Sequence, residues 1–237
     1  MNSSWVSAQS LPSGSFLLAQ SDPDEAFDPF SDYSEFDEAS DEEADINFFR
    51  NGRFFTVGLY GGMRQFTGNF AKQYKPGAAY GVTMTYFFDL RTAFAMSFLT
   101  GDHKVDFTTL QGTKHYTGNV SITSINFDFK YYFNTQNVTR GLADLNPYGL
   151  LGFSQNYRTY SLDNLGSLSR DQTMGVDLGA GLEIPLMRRR GFLGVQGSYH
   201  LVNFADESKE YVNSTERLDS LLSGDYYNLM LILGMNF

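Results

Sequence analysis

The residues most able to do chemistry in this chain are few and lie far apart in the sequence. Three histidines occur, His103, His115 and His200, and the 237 residues include no cysteine. No HExxH pattern and no pair of histidines four residues apart is present, which disfavours a metal enzyme. The lack of cysteine excludes thiolate ligands and a cysteine nucleophile. No GxSxG turn or phosphate-binding loop occurs either, so we expect no cofactor.

Charge divides the chain into an acidic tail and a nearly neutral remainder. Residues 1–45 hold 12 of the 27 acidic side chains and none of the 17 lysines and arginines, so 15 acids and 17 bases remain. A nearly neutral body lacks the basic surface that nucleic acid requires, and we expect no nucleic-acid partner. No run of 18 apolar residues is present, which excludes a transmembrane helix.

From residue 46 onward, apolar and polar residues alternate with a period of two, which is typical of strands with one apolar face. In Met174–Leu186 every second residue is apolar, and the residues between them are Gly, Asp, Glu or Pro. Tyr80–Leu90, Ile125–Phe133 and Tyr227–Phe237 repeat this pattern. Four weaker segments bring the total to eight candidate strands: Arg53–Phe66, Thr92–Thr100, Pro147–Tyr157 and Gly191–Phe204.

Short and long connections alternate between these strands, as in bacterial membrane barrels. Phe88–Thr92 and Met187–Gly191 are tight. The long polar stretches are Thr67–Gly77, Gly101–Gly118, Arg158–Thr173 and Ala205–Asp225. A soluble barrel or sandwich would also alternate, but its polar face would be rich in Lys and Glu. The polar faces here are mostly Gly, Ser, Thr and Asn, which favours a membrane barrel.

The sequence therefore predicts an all-β fold, an eight-stranded antiparallel transmembrane β-barrel over residues 46–237. A Ser-rich leader or remnant (1–19) and an acidic, low-complexity segment (20–45) precede it. Met1–Gln20 lacks the features of a signal peptide, and a processed terminus, an engineered start and a truncated leader all stay open. We expect the acidic segment to be disordered or partly ordered.

The final segment resembles the β-signal of Gram-negative outer-membrane proteins, an amphipathic last strand that ends in an aromatic residue. The residues that carry this resemblance are Tyr227, Leu229, Leu231, Leu233, Met235 and Phe237. With eight strands, the domain is similar to the small OmpA-like and OmpW-like barrels. The resemblance implies an integral outer-membrane protein in contact with lipid, inserted by the barrel assembly machinery. It also implies that both chain ends lie in the periplasm, because the strand number is even.

Lipid A modification is the sharpest enzymatic hypothesis, because some eight-stranded barrels are deacylases with a His-x-Ser-Asn element. His200-Leu201-Val202-Asn203 occupies a comparable late strand, but Val202 stands where the nucleophilic serine is needed. Asp102-His103 is a weak parallel to the residues of palmitoyl-transfer barrels. We therefore expect His200 to be a polar lumen residue beside Ser198.

Four charged residues are expected to share the lumen: Asp128, Lys130, Asp177 and Glu183. They could line a narrow path for ions or small solutes, or form a charge-paired plug. The plug is favoured, because side chains nearly fill an eight-stranded barrel. A sideways route for apolar ligands, as in OmpW-like barrels, is less favoured because the lumen faces are polar.

Two segments outside the strands could bind partners. Phe27, Phe30, Tyr33 and Phe36 recur at a spacing of three in the acidic segment and could anchor a periplasmic partner, although a disordered leader is favoured. Arg188, Arg189 and Arg190 in a short turn could contact lipid phosphates or the acidic segment, or be solvated.

Small residues on or near outward faces make a homo-oligomer plausible: Gly61, Gly62, Ala93, Ala95, Gly194 and Gly197. The expected function is a non-enzymatic, porin-like or structural outer-membrane barrel. The alternatives are a lipid A acyl hydrolase or transferase and a narrow channel for small or apolar solutes.

Overall fold

The structure is a computed structural model. It describes residues 54–110, 114–133, 145–163, 166–167, 170–186, 190–204, 211–213, 216–219 and 221–237. The expectations for the leader, the acidic segment with its aromatic residues, and Arg188 and Arg189 lie outside the described residues.

Eight antiparallel strands close into a barrel. They are β1 (Phe55–Phe66), β2 (Gly77–Phe87), β3 (Thr92–Thr108), β4 (His115–Tyr132), β5 (Asn146–Leu162), β6 (Asp171–Leu186), β7 (Gly191–Val202) and β8 (Tyr226–Asn236). Each pairs with its neighbour in sequence, and β1 pairs with β8. The predicted eight-stranded antiparallel barrel is confirmed.

Shorter elements lie at the loop end of the barrel. Helix α1 spans Phe70–Gln73 between β1 and β2, and three short strand pieces are Gly166–Ser167, Tyr211–Asn213 and Glu216–Arg217. No helix in the described part of the chain is long and apolar enough to cross a membrane.

Outward faces carry large apolar side chains. On β8, Leu229, Leu231 and Leu233 are each 58–59% exposed, and Phe237 is 65% exposed. An apolar surface that encircles a protein is typical of a face that meets lipid. The ten rises of ~3.3 Å between eleven strand residues, tilted by ~40°, span ~25 Å, which matches the hydrocarbon band.

The alternation inverts where β3 and β4 leave this band. From Phe94 to Phe98, the outward residues of β3 are apolar. Farther along the strand, the outward residues Asp102, Lys104 and Asp106 are charged and exposed. The inward residues Val105 and Phe107 are apolar and buried. The expectation of a long loop over Gly101–Gly118 is therefore wrong, because most of that stretch continues β3 and β4 as a wall beyond the apolar band. β5 also extends, to Leu162, and its inward residues include Tyr148 and Leu150.

The tight turn between β2 and β3 is organised by Asp89. Its Oδ1 accepts hydrogen bonds from the backbone N–H of Arg91 (2.6 Å) and Thr92 (2.7 Å), and Oδ2 accepts one from the Thr92 hydroxyl at 2.5 Å. Partial burial acts to raise the pKa of this carboxyl, but the three hydrogen bonds outweigh burial and lower the pKa below its ordinary value. The turn is therefore held best by the ionised carboxylate.

Replacing Asp89 should weaken the turn in a pH-dependent way. Asp89→Ala should lower the free energy of unfolding by about 1 kcal/mol at pH 7, and Asp89→Asn by less, because the amide keeps one acceptor oxygen. Since the folded pKa lies below the unfolded one, the carboxylate contributes above the unfolded pKa and loses its contribution as the pH falls through the folded pKa. Urea unfolding at pH 7 and about pH 3 measures this. A wild-type advantage over Asp89→Asn that stays constant with pH would contradict it.

Candidate functional site

The inside of the barrel is filled by three layers of side chains. An apolar outer cap, drawn from strand ends, α1 and the last loop, closes the loop end. A polar network occupies the middle, and an aromatic cluster lies near the short turns. The outer cap consists of Phe66, Phe70, Tyr74, Val105, Phe107, Tyr116, Val120, Ile122, Tyr160, Leu162, Val202, Phe204, Leu218, Leu222 and Tyr226.

Arg158 ties the outer cap together. Its guanidinium lies 3.9 Å from the Phe204 ring centroid, and Nη2 donates to Asp171 Oδ2 at 3.1 Å. Nη1 donates to the backbone oxygen of Leu222 at 3.3 Å. A buried guanidinium with both aromatic and anionic partners holds the last loop onto the strands.

A directional chain of hydrogen bonds crosses the polar network from Arg64 to Asp177. Arg64 Nε donates to Asn228 Oδ1 at 3.0 Å, and Asn228 Nδ2 faces His200 Nε2 at 2.9 Å. His200 Nδ1 lies 2.6 Å from Asp177 Oδ1. All four residues are at most 1% exposed, so the chain joins a buried cation to a buried anion through two intermediaries.

The direction of this chain fixes the state of His200. Arg64 can only donate hydrogen bonds, so the oxygen of the Asn228 amide must face Arg64 and its nitrogen must face the imidazole. Nε2 of His200 therefore accepts, and the proton is on Nδ1, where Asp177 receives it. The geometry assigns a neutral histidine with one defined tautomer.

Neighbouring residues brace the network. Ser154 Oγ donates to Asp177 Oδ1 at 2.8 Å, and Asn156 Nδ2 donates to Ser154 Oγ at 2.9 Å. The Tyr226 ring stacks on His200 at 4.5 Å and carries the Arg64 guanidinium 4.6 Å from its centroid. Packing on both sides of the ring leaves His200 little freedom to turn.

Ser198 completes a serine–histidine–aspartate arrangement with His200 and Asp177. Its Oγ lies 2.9 Å from His200 Nε2, and the histidine has the tautomer that a general base requires. The sequence patterns did not predict this arrangement, because they sought the serine at position 202. Two observations weigh against catalysis: Ser198 points into the filled lumen and is 6% exposed, and Asn228 competes for the same Nε2 lone pair.

The four charged residues predicted for the lumen all lie inside the barrel and are at most 3% exposed. Asp177 belongs to the polar network. Glu183 accepts a hydrogen bond from Tyr132 at 3.0 Å, and the Lys130 ammonium lies 4.5 Å from the Tyr148 ring centroid. These two pairs lie toward the short turns, where Asp128 is the next inward residue of β4 before Lys130.

The remaining candidate residues lie apart. Asp102 faces outward and His103 inward, so this pair cannot act together. His115 is on the outer wall, 3.2 Å from Asp106. Arg190 is exposed in the turn before β7. Within the described residues, no group of three or more His, Cys, Asp or Glu side chains could hold a metal ion.

The small residues proposed for an oligomer contact mostly point the wrong way. Ala93 and Ala95 are fully buried, and an added Cβ at Gly62 would collide with Met230, an inward residue of β8. Gly194 also faces inward, beside Glu183 and Ile232. Gly61 and Gly197 are the members of the set that face open space outside the barrel. Inward glycines permit the lumen side chains to pack.

The outer wall carries a shallow cavity of about 390 Å³, separate from the lumen. Lys75 and Lys104 line it together with Asp106 and Asp163. The cavity is polar and of mixed charge, and it lies beyond the apolar band.

The sequence patterns did not single out Arg64, Arg158 or Asn228. An arginine inside an otherwise apolar or small-residue strand is the signal that could have revealed Arg64, because a charge there must face the lumen. Asn228 carries no such signal, since amides are common on lumen faces.

The sequence of this chain matches a known family of outer-membrane proteins. The sequence profile of the outer membrane protein beta-barrel domain family matches residues 44–231. The chain belongs to this family. The predicted small outer-membrane barrel is thereby confirmed, as is its place as an integral protein of the bacterial outer membrane. Comparison with curated protein sequences gives no significant match.

Solved structures share the fold at low sequence identity. Neisserial surface protein A (NspA) is 15% identical with a TM-score of 0.53, and the match covers 77% of this chain and 97% of that one. The N-terminal barrel of Pseudomonas aeruginosa OprF is 19% identical with a TM-score of 0.42, covering 77% and 97%. Ail of Yersinia pestis is 15% identical with a TM-score of 0.43, covering 77% and 96%. The likeness to NspA supports the fold alone.

Removing the anion of the polar network should destabilise the barrel more than removing its serine. Asp177→Ala should cost about 2–4 kcal/mol, because it leaves the His200 N–H and the Ser154 hydroxyl buried without an acceptor. Ser198→Ala should cost about 1 kcal/mol or less, because His200 Nε2 keeps Asn228 as donor. Urea unfolding of the detergent-folded protein measures both. Equal losses in the two variants would contradict the assigned hydrogen-bond directions.

Proposed function

We propose that this protein is a non-enzymatic, non-conducting outer-membrane barrel with a structural role. The observation that carries the proposal is the filled lumen, in which apolar cap, polar network and inner aromatic cluster follow one another along the axis. An eight-stranded barrel has room for side chains but little for a water column. The structural form is thus preferred to the porin-like form.

Its working surface is the wall of β3, β4 and β5 beyond the apolar band, together with the adjoining loops. The described outward side chains of this wall are mostly polar, and Lys104, Asp106 and Asn119 are exposed. A rigid barrel that holds such a wall at a fixed height above the lipid is suited to contacts at the cell surface.

The position of the two barrel ends supports an orientation in the membrane. The N–H of Phe54 donates to the carbonyl of Phe237 at 3.1 Å, so both strand ends lie at one rim, with the short turns. Short turns face the periplasm in bacterial barrels. This rule supports a periplasmic position for the chain ends, for the acidic segment and for Arg188–Arg190. The proposal of a periplasmic partner for the acidic segment rests on the same rule.

Assembly and association are further parts of the proposal. The outward apolar row of β8 ending at Phe237 supports recognition by the barrel assembly machinery. Self-association has a narrower basis, because only Gly61 and Gly197 of the six small residues face open space outside the described part of the barrel.

The filled lumen should block ions. Planar-bilayer recordings of the purified, folded protein should stay at baseline, because cap and network leave no continuous water path. A heat-modifiable band shift confirms folding and insertion, and a larger porin supplies the positive control. Discrete current steps in the wild type that disappear after heat unfolding would contradict the proposal.

The second candidate function is acyl hydrolysis, which the Ser198–His200–Asp177 geometry favours. A fluorophosphonate probe distinguishes a catalytic serine from a structural one. Because Ser198 is enclosed, the folded wild type should remain unlabelled, and the lipid A acyl pattern should be the same with and without the protein. Labelling that is lost in Ser198→Ala would establish catalysis and end the non-enzymatic proposal.

A further inference from the structure

Two buried carboxylates approach each other across a glycine in the middle of the barrel. Asp128 of β4 pairs in register with Gly152 of β5, and Gly152 pairs with Asp177 of β6. A Cβ at Gly152 would lie 2.4 Å from Oδ1 of Asp128. The missing side chain therefore lets the Asp128 carboxylate lean over β5 toward Asp177.

Three oxygen atoms around this glycine are buried without a hydrogen-bond donor among the described residues. They are Oδ1 of Asp128, Oδ2 of Asp177 and Oδ1 of Asn126. Asn126 faces inward two residues before Asp128 and pairs in register with Ser154, whose hydroxyl already donates to the other oxygen of Asp177. The three residues are at most 3% exposed. A buried acceptor without a partner costs ~1–3 kcal/mol, and more when it is charged.

Charge around these oxygens is unbalanced. Arg158 is paired with Asp171, which is partly exposed. With this pair set aside, the described buried residues include two cations, Arg64 and Lys130, and three carboxylates, Asp128, Asp177 and Glu183. His200 adds no positive charge, because its hydrogen bonds assign the neutral form. One negative charge is left over in an enclosed interior, where an uncompensated charge is costly.

Several donors of the polar network are directed elsewhere. His200 and Ser154 both donate to Oδ1 of Asp177. Arg64 is directed at Asn228 and at the backbone oxygen of Ile122. The acceptors without a donor belong to inward residues of β4 and β6 on either side of β5 at Gly152, and they border the space above this glycine. They are all oxygens, the ligand type that hard cations prefer.

We propose that this space binds one small monovalent cation of the sodium type, coordinated by Asp128, Asp177 and Asn126. One positive charge balances the lumen, and the three oxygens gain a partner. The cation braces β4 against β6 across the glycine of β5 and so stabilises the filled barrel. The site is independent of the proposed structural function, which rests on the packed layers as a whole.

The test compares thermal unfolding of the full chain folded in sodium chloride and in choline chloride at equal ionic strength. Choline is too large for the site, so only sodium should stabilise the barrel. The wild-type midpoint should be about 3–5 °C higher in sodium at tenfold excess over the dissociation constant. Asp128→Asn should abolish this difference, and Asn126→Asp, which adds a carboxylate of the same shape, should enlarge it.

Ser198→Ala is the matched control, because it changes a buried lumen side chain while leaving the lumen charge and the three oxygens unchanged, and it should keep the sodium effect. A wild-type midpoint that is the same in sodium and choline would overturn the proposal. So would a sodium effect lost equally in Ser198→Ala. A midpoint that follows pH but does not depend on sodium would also overturn the proposal, because it indicates a shared proton. If Asp128→Asn does not fold, the comparison of Asn126→Asp with the wild type decides alone.

Discussion

Backbone pairing between β1 and β8 is the contact that makes the rest of the architecture possible. In hydrocarbon, each unpaired N–H or C=O costs several kcal/mol, so a sheet at that depth must close on itself. The register from Thr56 opposite Asn236 to Phe66 opposite Tyr226 achieves closure over the full length of both strands. Closure by eight strands then sets a narrow interior, which forces the inward side chains to satisfy one another.

The interior meets this demand with direction as well as packing. Arg64, Asn228, His200 and Asp177 pass hydrogen bonds one way, so each group has the partner that its donors and acceptors require. The hydrogen bonds that place Ser198 beside His200 like a catalytic nucleophile also let His200 link Asn228 to Asp177 in the folded barrel. Hydrogen-bond geometry alone does not distinguish these roles, whereas enclosure by the outer cap favours the structural one.

The sequence was sufficient for the strands whose two faces meet lipid and lumen. There, the polarity contrast is large. The sequence placed Tyr227–Phe237 within one residue of the observed strand at each end, and placed Met174–Leu186 at the observed end but three residues after the observed start. It failed for β3 beyond Phe98, because the contrast reverses and Val105 and Phe107 become the inner apolar side. The polar network was out of reach for another reason. Ser198 and His200 share a face by spacing, but the approach of Asp177 depends on the register between β6 and β7, which periodicity does not specify.

The reversal on β3 has a consequence for how deeply the protein sits in its membrane. On the short-turn side of Phe98, an outward charge would lie in hydrocarbon, where it is unfavourable. On the loop side of Asp102, an outward apolar residue would lie in water and would not be stabilised by lipid. The change in polarity of the outward face therefore defines a vertical position. Sliding the barrel by one strand repeat in either direction would put charges into lipid or leucines into water. The residue sequence of one strand thus determines how deeply the barrel is immersed in the membrane. The height of every loop above the membrane follows from that depth.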